Sequence, residues 1–248
     1  MKSETWEGSV AAPKKRGILR EKAFQDLKAA ILNGSLQRGE RLSEARLIAE
    51  LGIGRTPLRE ALNRLEREGL VVSQPNSGYS VTNLDIDEVC DLLVVREGLD
   101  ALAAEVACRT ATEDELAELA AVMADIDALD AIHSDSPEVM ARDLELGLRV
   151  HEVIVAATHN AALIEITQRV YDQLRLALWV EVRWINQWTQ AVAEHREIVE
   201  AMLARDVPRA VEAARAHVRI SRQNMLTIRD IAKARREAGS GGGSSHPY

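Results

Sequence analysis

Residues Ser43–Gly78, SEARLIAELGIGRTPLREALNRLEREGLVVSQPNSG, decide how this chain is read. Leu47, Ile48 and Leu51 are apolar at helical intervals, and Leu58, Ala61, Leu62 and Leu65 repeat that spacing after a break at Gly52 and Gly54. The pattern predicts two short helices packed across one small core. Ser43 is placed to cap the first, and the second starts near Thr56 and Pro57, with proline in the opening turn where its missing N–H costs nothing. Beyond Gly69, the runs Leu70–Ser73 and Tyr79–Thr82 flank Gln74-Pro75-Asn76-Ser77-Gly78, a turn-rich cluster that predicts a short hairpin. Two helices followed by a hairpin is the layout of a winged helix-turn-helix, which points to duplex DNA.

Arg55, Arg59 and Asn63 recur every four residues on the face away from the leucines. Guanidinium groups near a helix N-terminus can reach guanine edges bidentately or phosphate oxygens as a fork. The small, polar hairpin tip suits a sugar-phosphate backbone or a minor groove. An arginine-bearing helix on its own is more often a solvated surface. The order helix, helix, hairpin is what favours DNA.

The charge distribution fits that division. The chain of 248 residues has a formal net charge of −8, but Met1–Thr82 holds 14 Lys/Arg against 10 Asp/Glu, and the remainder 17 against 29. A basic head on an acidic body confines attraction for a polyanion to one surface. The head's excess of 4 is small, so a single copy should bind weakly; a homodimer on a palindromic operator of double-stranded DNA is expected.

A hydrophobic content of 46% is ample for two cores, and with aromatics at only 3% the packing falls to Ala, Leu, Ile and Val. No segment approaches the roughly 18 uninterrupted apolar residues of a membrane span, and MKSETWEGSV lacks a signal peptide's apolar core. The expectation is a cytoplasmic protein without membrane contact. Cys90 and Cys108 are placed on one helix, about 27 Å apart at 1.5 Å per residue, and are read as buried, reduced thiols.

From Asn83 to Arg235 the chain reads as helix after helix. Asp85 with Glu88 and Thr112 with Glu115 have capping-box spacing, Ser136 with Pro137 opens a third helix, and Asp206 with Pro208 opens the last. Helices are expected at about 86–108, 113–131, 137–157, 161–186, 188–205 and 207–233. The fold class is therefore mainly α: a winged helix-turn-helix with a small β-hairpin wing at 16–82, an antiparallel bundle of about six helices at 86–233, and flexible tails at 1–15 and 236–248. The interior of such a bundle is a usual place for a ligand pocket.

His151, His195 and His217 fall on three different bundle helices, each among apolar helical neighbours. Three converging neutral imidazoles can hold zinc, nickel or a similar divalent ion. One inward histidine taken singly is more often a core residue bonded to a carbonyl, and sequence does not establish convergence. Trp179, Trp184 and Trp188 cluster near the junction of the fourth and fifth bundle helices. Trp188 precedes His195 by seven residues and so shares its face, as a pocket wall or as packing.

RTPLREALNRLEREGLV, with the upstream AAILNGSLQRGERLSE, resembles the N-terminal DNA-binding domain of GntR-family transcriptional regulators over Arg16–Thr82. The resemblance implies operator contacts by Arg55, Thr56 and Arg59 from the recognition helix and by Asn76, Ser77 and Gly78 from the wing. Gly54 stands where many relatives carry Ser, and Ala45 where several carry a DNA-contacting Arg. Arg46 is the neighbouring candidate, rotated by about 100° around the helix.

The bundle resembles the FCD effector domain of the FadR subfamily over about Asp87–Thr227, through REGLD from Arg96, VHEVIVAATHN from Val150, AEHREI from Ala193 and AHV from Ala216. The resemblance implies a divalent metal, Zn or Ni, held by His151, His195 and His217 together with an Asp one turn before the first. That Asp position is Gly147 here. Asp143 lies about 80° around and 12 Å along the helix from His151, and Glu145 about 120° away, so neither replaces it without distortion. Arg96 occupies a position whose guanidinium often faces the pocket, where it suits the carboxylate of a small organic acid. The alternative is a structural ion pair with Asp100 one turn on.

Two function classes follow. One is a metabolite-responsive transcriptional regulator, a repressor released from its operator by a small organic acid. The other is a metal-dependent hydrolytic enzyme built on the three histidines. An enzyme needs a general base beside the metal, and Glu152 and Glu194, next to the ligands in sequence, are expected to point elsewhere. The regulator reading is preferred.

Overall fold

The computed structural model describes residues 13–74, 78–132, 136–184 and 188–240. The chain divides into two compact units, Met1–Asn83 and Leu84–Tyr248.

The first unit opens with α1 (Pro13–Leu32), followed by β1 (Arg41–Leu42), α2 (Glu44–Leu51), α3 (Arg55–Arg67), β2 (Val71–Gln74) and β3 (Gly78–Val81). Ser43 caps α2 through Arg46 N, and Gly52 ends it in the left-handed region at φ 63°, which a residue without Cβ enters at little cost. The tight break turns α3 across α2. α3 begins at Arg55, slightly before the start expected at Thr56–Pro57, because Gly54 supplies the extended N-cap conformation without a side-chain cap. Leu58, Ala61, Leu62 and Leu65 of α3 pack with Phe24, Leu27 and Ile31 of α1, which covers the helix pair.

The wing is more than the expected hairpin. β2 and β3 pair antiparallel with Val71 opposite Val81, and β1 adds a third strand on the other edge of β3, with Arg41 opposite Ser80. Two residues are too short a run to show alternation in sequence. They nonetheless hold the connection between α1 and α2 onto the sheet.

The second unit consists, among the described residues, of α4 (Ile86–Thr110), α5 (Glu113–Asp130), α6 (Pro137–Ala156), α7 (Ala161–Trp184), α8 (Trp188–Leu203) and α9 (Val207–Ser240). Complete capping boxes at Asp85/Glu88 and Thr112/Glu115 start α4 and α5, and Ser136 caps α6 ahead of Pro137. α4 and α9 form the most extensive pairing, and α6, α7 and α8 pack around them. The core is aliphatic and rich in alanine, with Tyr171 its largest fully buried side chain. The helices also enter the segments read as flexible tails: α1 starts at Pro13, and α9 continues to Ser240. Ala, Glu, Lys and Arg at its end have high helix propensity without apolar periodicity. Cys90 and Cys108 are buried, free thiols on α4, and burial pushes both up from the ordinary thiol range. Among the described residues no helix is long and apolar enough to cross a membrane.

Candidate DNA-reading face and histidine centre

With its leucines buried, α3 turns Arg55, Thr56, Arg59 and Asn63 outward. Arg59 is held by α2, its Nε standing 3.1 and 3.3 Å from the two carboxylate oxygens of Glu44. Arg46 lies between Glu40 at 2.9 Å and Glu50 at 3.4 Å. Tyr79 donates its hydroxyl to Asn63 Oδ1 at 2.5 Å, tying the wing strand to the outward face of α3. Gly78 begins β3 at φ 83°, a conformation that favours glycine. Asn76 and Ser77 lie outside the described residues.

In the second unit His151 of α6, His195 of α8 and His217 of α9 converge. Their ring centroids are 5.5 Å apart for His151 and His195, 4.9 Å for His151 and His217, and 4.6 Å for His195 and His217. One nitrogen from each lies within 4.8 Å of the others. α4 contributes a buried ion pair behind them: Arg96 donates from Nε to Asp100 Oδ2 at 3.1 Å, and the same oxygen is 3.1 Å from His151 Nδ1. Tyr171 of α7 donates to the other oxygen, Oδ1, at 2.6 Å. Of the two readings of Arg96, the ion pair with Asp100 is formed; the guanidinium also lies over the Tyr171 ring at 5.3 Å. Trp188 is the first residue of α8, with its side chain outside the described set, as are those of Trp179 and Trp184.

Electrostatics keep the imidazoles neutral. Burial, reinforced by the other positive groups, holds His195 and His217 well below the ordinary histidine range; burial and then Arg96 lower His151, against an opposing pull from Asp100. Burial alone would raise Asp100, but Arg96, His151 and Tyr171 more than offset it and hold the carboxyl well below its usual range. A bond from His151 Nδ1–H to Asp100 leaves the lone pair on Nε2.

Glu194 overturns one expectation. Its carboxylate does not point away: Oε2 lies 2.9 Å from His217 Nδ1, and burial pushes the group up from the ordinary range against a hydrogen bond with Gln190. The 100° turn between Glu194 and His195 on α8 faces Glu194 toward α9, which sequence could not locate. Glu152 does turn aside, to Arg175 at 2.9 Å.

Comparison with known families matches residues 19–81 to bacterial regulatory proteins of the gntR family and residues 91–220 to the FCD domain. This chain belongs to the GntR family and carries an FCD domain. It is a DNA-binding transcriptional regulator of the FadR-like type. A Bacillus subtilis HTH-type transcriptional regulator, YdhC, described as uncharacterized, is 29% identical over 79% of this chain and 84% of its own length. The Escherichia coli HTH-type transcriptional repressor GlaR is 28% identical over 79% of this chain and 90% of its own. In fold, the chain resembles Escherichia coli McbR/YncC with a TM-score of 0.70 at 18% identity, covering 84% of this chain and 97% of that one. GntR-type regulators bind DNA and FCD domains bind small-molecule effectors. The family assignment gives the hydrolytic alternative no support.

The FCD histidines of this GntR regulator fit a divalent metal. The Nε2 of His151 is fully buried and has no hydrogen-bond partner among the described residues, a cost that a cation facing it would remove. The ligand nitrogens all lie within 4.8 Å of one another, against the roughly 3.3 Å between nitrogens that follows from Zn–N bonds of about 2.0–2.1 Å at a tetrahedral angle. At Gly147, where the resemblance to FCD domains implies an Asp, an added Cβ would lie 3.0 Å from His195 Cε1 and 3.4 Å from its Nε2. The His195 ring fills the space that a side chain would take.

Proposed function

We propose that the protein is a metabolite-responsive repressor that acts as a homodimer on a palindromic operator and leaves it when a small organic acid binds in the FCD domain. The observation that carries this reading is the convergence of three neutral imidazoles, two buried and that of His217 partly so, in a chain whose other unit presents Arg55, Thr56 and Arg59 on one exposed helix face. His151, His195 and His217 would hold Zn or Ni, which supplies a positive, Lewis-acidic centre for an effector's carboxylate. Arg96, buried in the same network and paired with Asp100, is the guanidinium nearest the centre for an effector's carboxylate, and Trp188 at the start of α8 is the wall candidate. On the DNA side, Arg55 and Arg59 are assigned to guanine edges or phosphates, Thr56 to phosphate, and Asn76, Ser77 and Gly78 to backbone contact by the wing. Arg46, engaged by Glu40 and Glu50, is assigned to phosphate. The small positive charge of one head supports pairing on a two-fold site, and the repressor title of the GlaR relative supports the sign of regulation. A regulator of this kind works in the cytoplasm and performs no catalysis.

The effector shifts the population of the DNA-binding state by its differential affinity for the two states. The test is fluorescence anisotropy with DNA from upstream of the protein's own gene, in the presence of zinc. Wild type binds, Arg55→Ala and Arg59→Ala weaken binding, and at least one member of a panel of small mono-, di- and tricarboxylic acids releases it. Binding that survives both substitutions unchanged, or that no acid alters, defeats the reading.

A further inference from the structure

Gly147 removes an anionic group from the histidine centre, and the surrounding charges show where a replacement comes from. Arg96 and Asp100 cancel one another as a buried pair. The three imidazoles are neutral. Glu194 is different: among the described residues its polar contacts are His217 and Gln190, both uncharged, and its Oε1 is buried without a hydrogen-bond partner. A carboxylate in a low-dielectric setting beside neutral groups is favoured only by a positive charge within reach.

The geometry supplies the route. His217 Nδ1 lies 2.9 Å from Glu194 Oε2; with the carboxylate ionised, Nδ1–H donates to it, which leaves the lone pair on Nε2 and makes that nitrogen more basic. His151 has the same arrangement through Asp100 at 3.1 Å, but there Arg96 shares the carboxylate and drains its effect. Among the described residues, Glu194 therefore holds a carboxylate at this centre that no Arg or Lys neutralises.

We propose that Glu194 is a positioning residue for the metal centre: through His217 it restores, one bond outside the ligand set, the negative charge that Gly147 removed. The proposal rests on the reading of His151, His195 and His217 as metal ligands. The missing carboxylate is thus exchanged for a hydrogen-bonded one. The centre then presents three neutral ligands toward the cation.

The experiment is a Co(II) titration of chelator-treated full-length protein, followed by visible absorption, with Zn(II) competition to obtain affinities. Three variants are compared with wild type: Glu194→Ala, Glu194→Gln and Glu197→Gln, the last a charge control on the same helix that pairs with Arg209. Glu194→Ala should bind about 10 to 100 times more weakly, the range set by outer-shell partners of metal-bound histidine. Glu194→Gln, which keeps an acceptor for Nδ1–H but not the charge, should fall between it and wild type, and Glu197→Gln should match wild type. The energies of the Co(II) bands should stay the same throughout, since the three imidazoles remain. The near-isosteric Gln variant keeps the comparison valid if the Ala variant folds poorly. Affinities of both Glu194 variants within twofold of wild type overturn the proposal while leaving the metal reading intact. Failure of the wild-type protein to take up either ion overturns both.

Discussion

The His195 imidazole lies against the backbone of Gly147, so close that an added Cβ at residue 147 would sit 3.0 Å from Cε1. A helix-interior glycine ordinarily costs about 0.5–1 kcal/mol relative to alanine, so Gly147→Ala in α6 would normally stabilise. Here the ring must give way for the methyl group, and His195 is 8% exposed, with little free space to move into. Gly147→Ala is expected to forfeit that gain, with a melting temperature at or below wild type in metal-free protein, and to weaken Co(II) binding by displacing one ligand. Differential scanning calorimetry and the same titration check it. A clear stabilisation with unchanged metal affinity would mean that the contact is slack.

In the head, Arg59 is engaged by Glu44 before any DNA arrives, and the pair is surface-exposed on the Arg59 side. Such pairs contribute about 0–1 kcal/mol, so the guanidinium can leave for a phosphate or a base edge at small cost. Glu44→Gln should accordingly raise affinity for random-sequence DNA a few-fold at low salt, and Arg59→Ala should lose about 1–3 kcal/mol on the operator if the contact is to a guanine. Anisotropy titrations across a series of salt concentrations read both. If Glu44→Gln leaves random-sequence binding unchanged, the ion pair does not compete with DNA.

Arg96, Asp100, His151 and Tyr171 act as one buried network, and removing Arg96 strands the Asp100 charge between a neutral imidazole and a phenol. Breaking a buried pair from one side costs about 3–5 kcal/mol, whereas replacing both members by apolar groups often costs far less. Arg96→Met should therefore destabilise strongly, Tyr171→Phe by about 1.5–3 kcal/mol for the loss of a bond to a charged group, and the double variant Arg96→Met/Asp100→Leu by less than Arg96→Met alone. Urea unfolding in the absence of metal gives the three values. A double variant at least as unstable as Arg96→Met would contradict the network.

The parts legible in sequence were those governed by local rules. Leu58, Ala61, Leu62 and Leu65 declared α3 by period, and the Asp85/Glu88 and Thr112/Glu115 boxes placed the starts of α4 and α5 at the observed residues. β1 was not legible, because two residues carry no periodicity and its pairing with β3 spans nearly 40 residues of chain. The histidines could each be assigned an inward face, but how three helices rotate against one another is a property of packing. The same limit misplaced Glu194: its angle from His195 on α8 was readable, while the position of α9 on that side, and hence the bond to His217, was not. Asp100 was read only as a partner for Arg96 one turn away; its bonds to His151 and Tyr171 come from two other helices.

A final expectation concerns Asp143, half-buried on α6. Burial, with the charge of Asp130 adding to it, pushes the Asp143 carboxyl from an ordinary 3.8 up to about 7. The folded chain then holds a proton that the unfolded chain has released between those two values. Stability contributed by the protonated group is fully present below 3.8, declines as pH rises, and is lost once pH passes about 7. Asp143→Asn keeps the shape and hydrogen-bonding capacity without the charge, so it should raise the melting temperature relative to wild type more at pH 8 than at pH 5. The buried histidines act in the opposite sense, costing stability as pH falls below their ordinary 6.5, but they are common to both proteins and cancel in the difference. Calorimetric scans of the two proteins at both pH values settle the matter, and an Asn variant whose advantage is equal at pH 5 and pH 8 would show that Asp143 ionises normally.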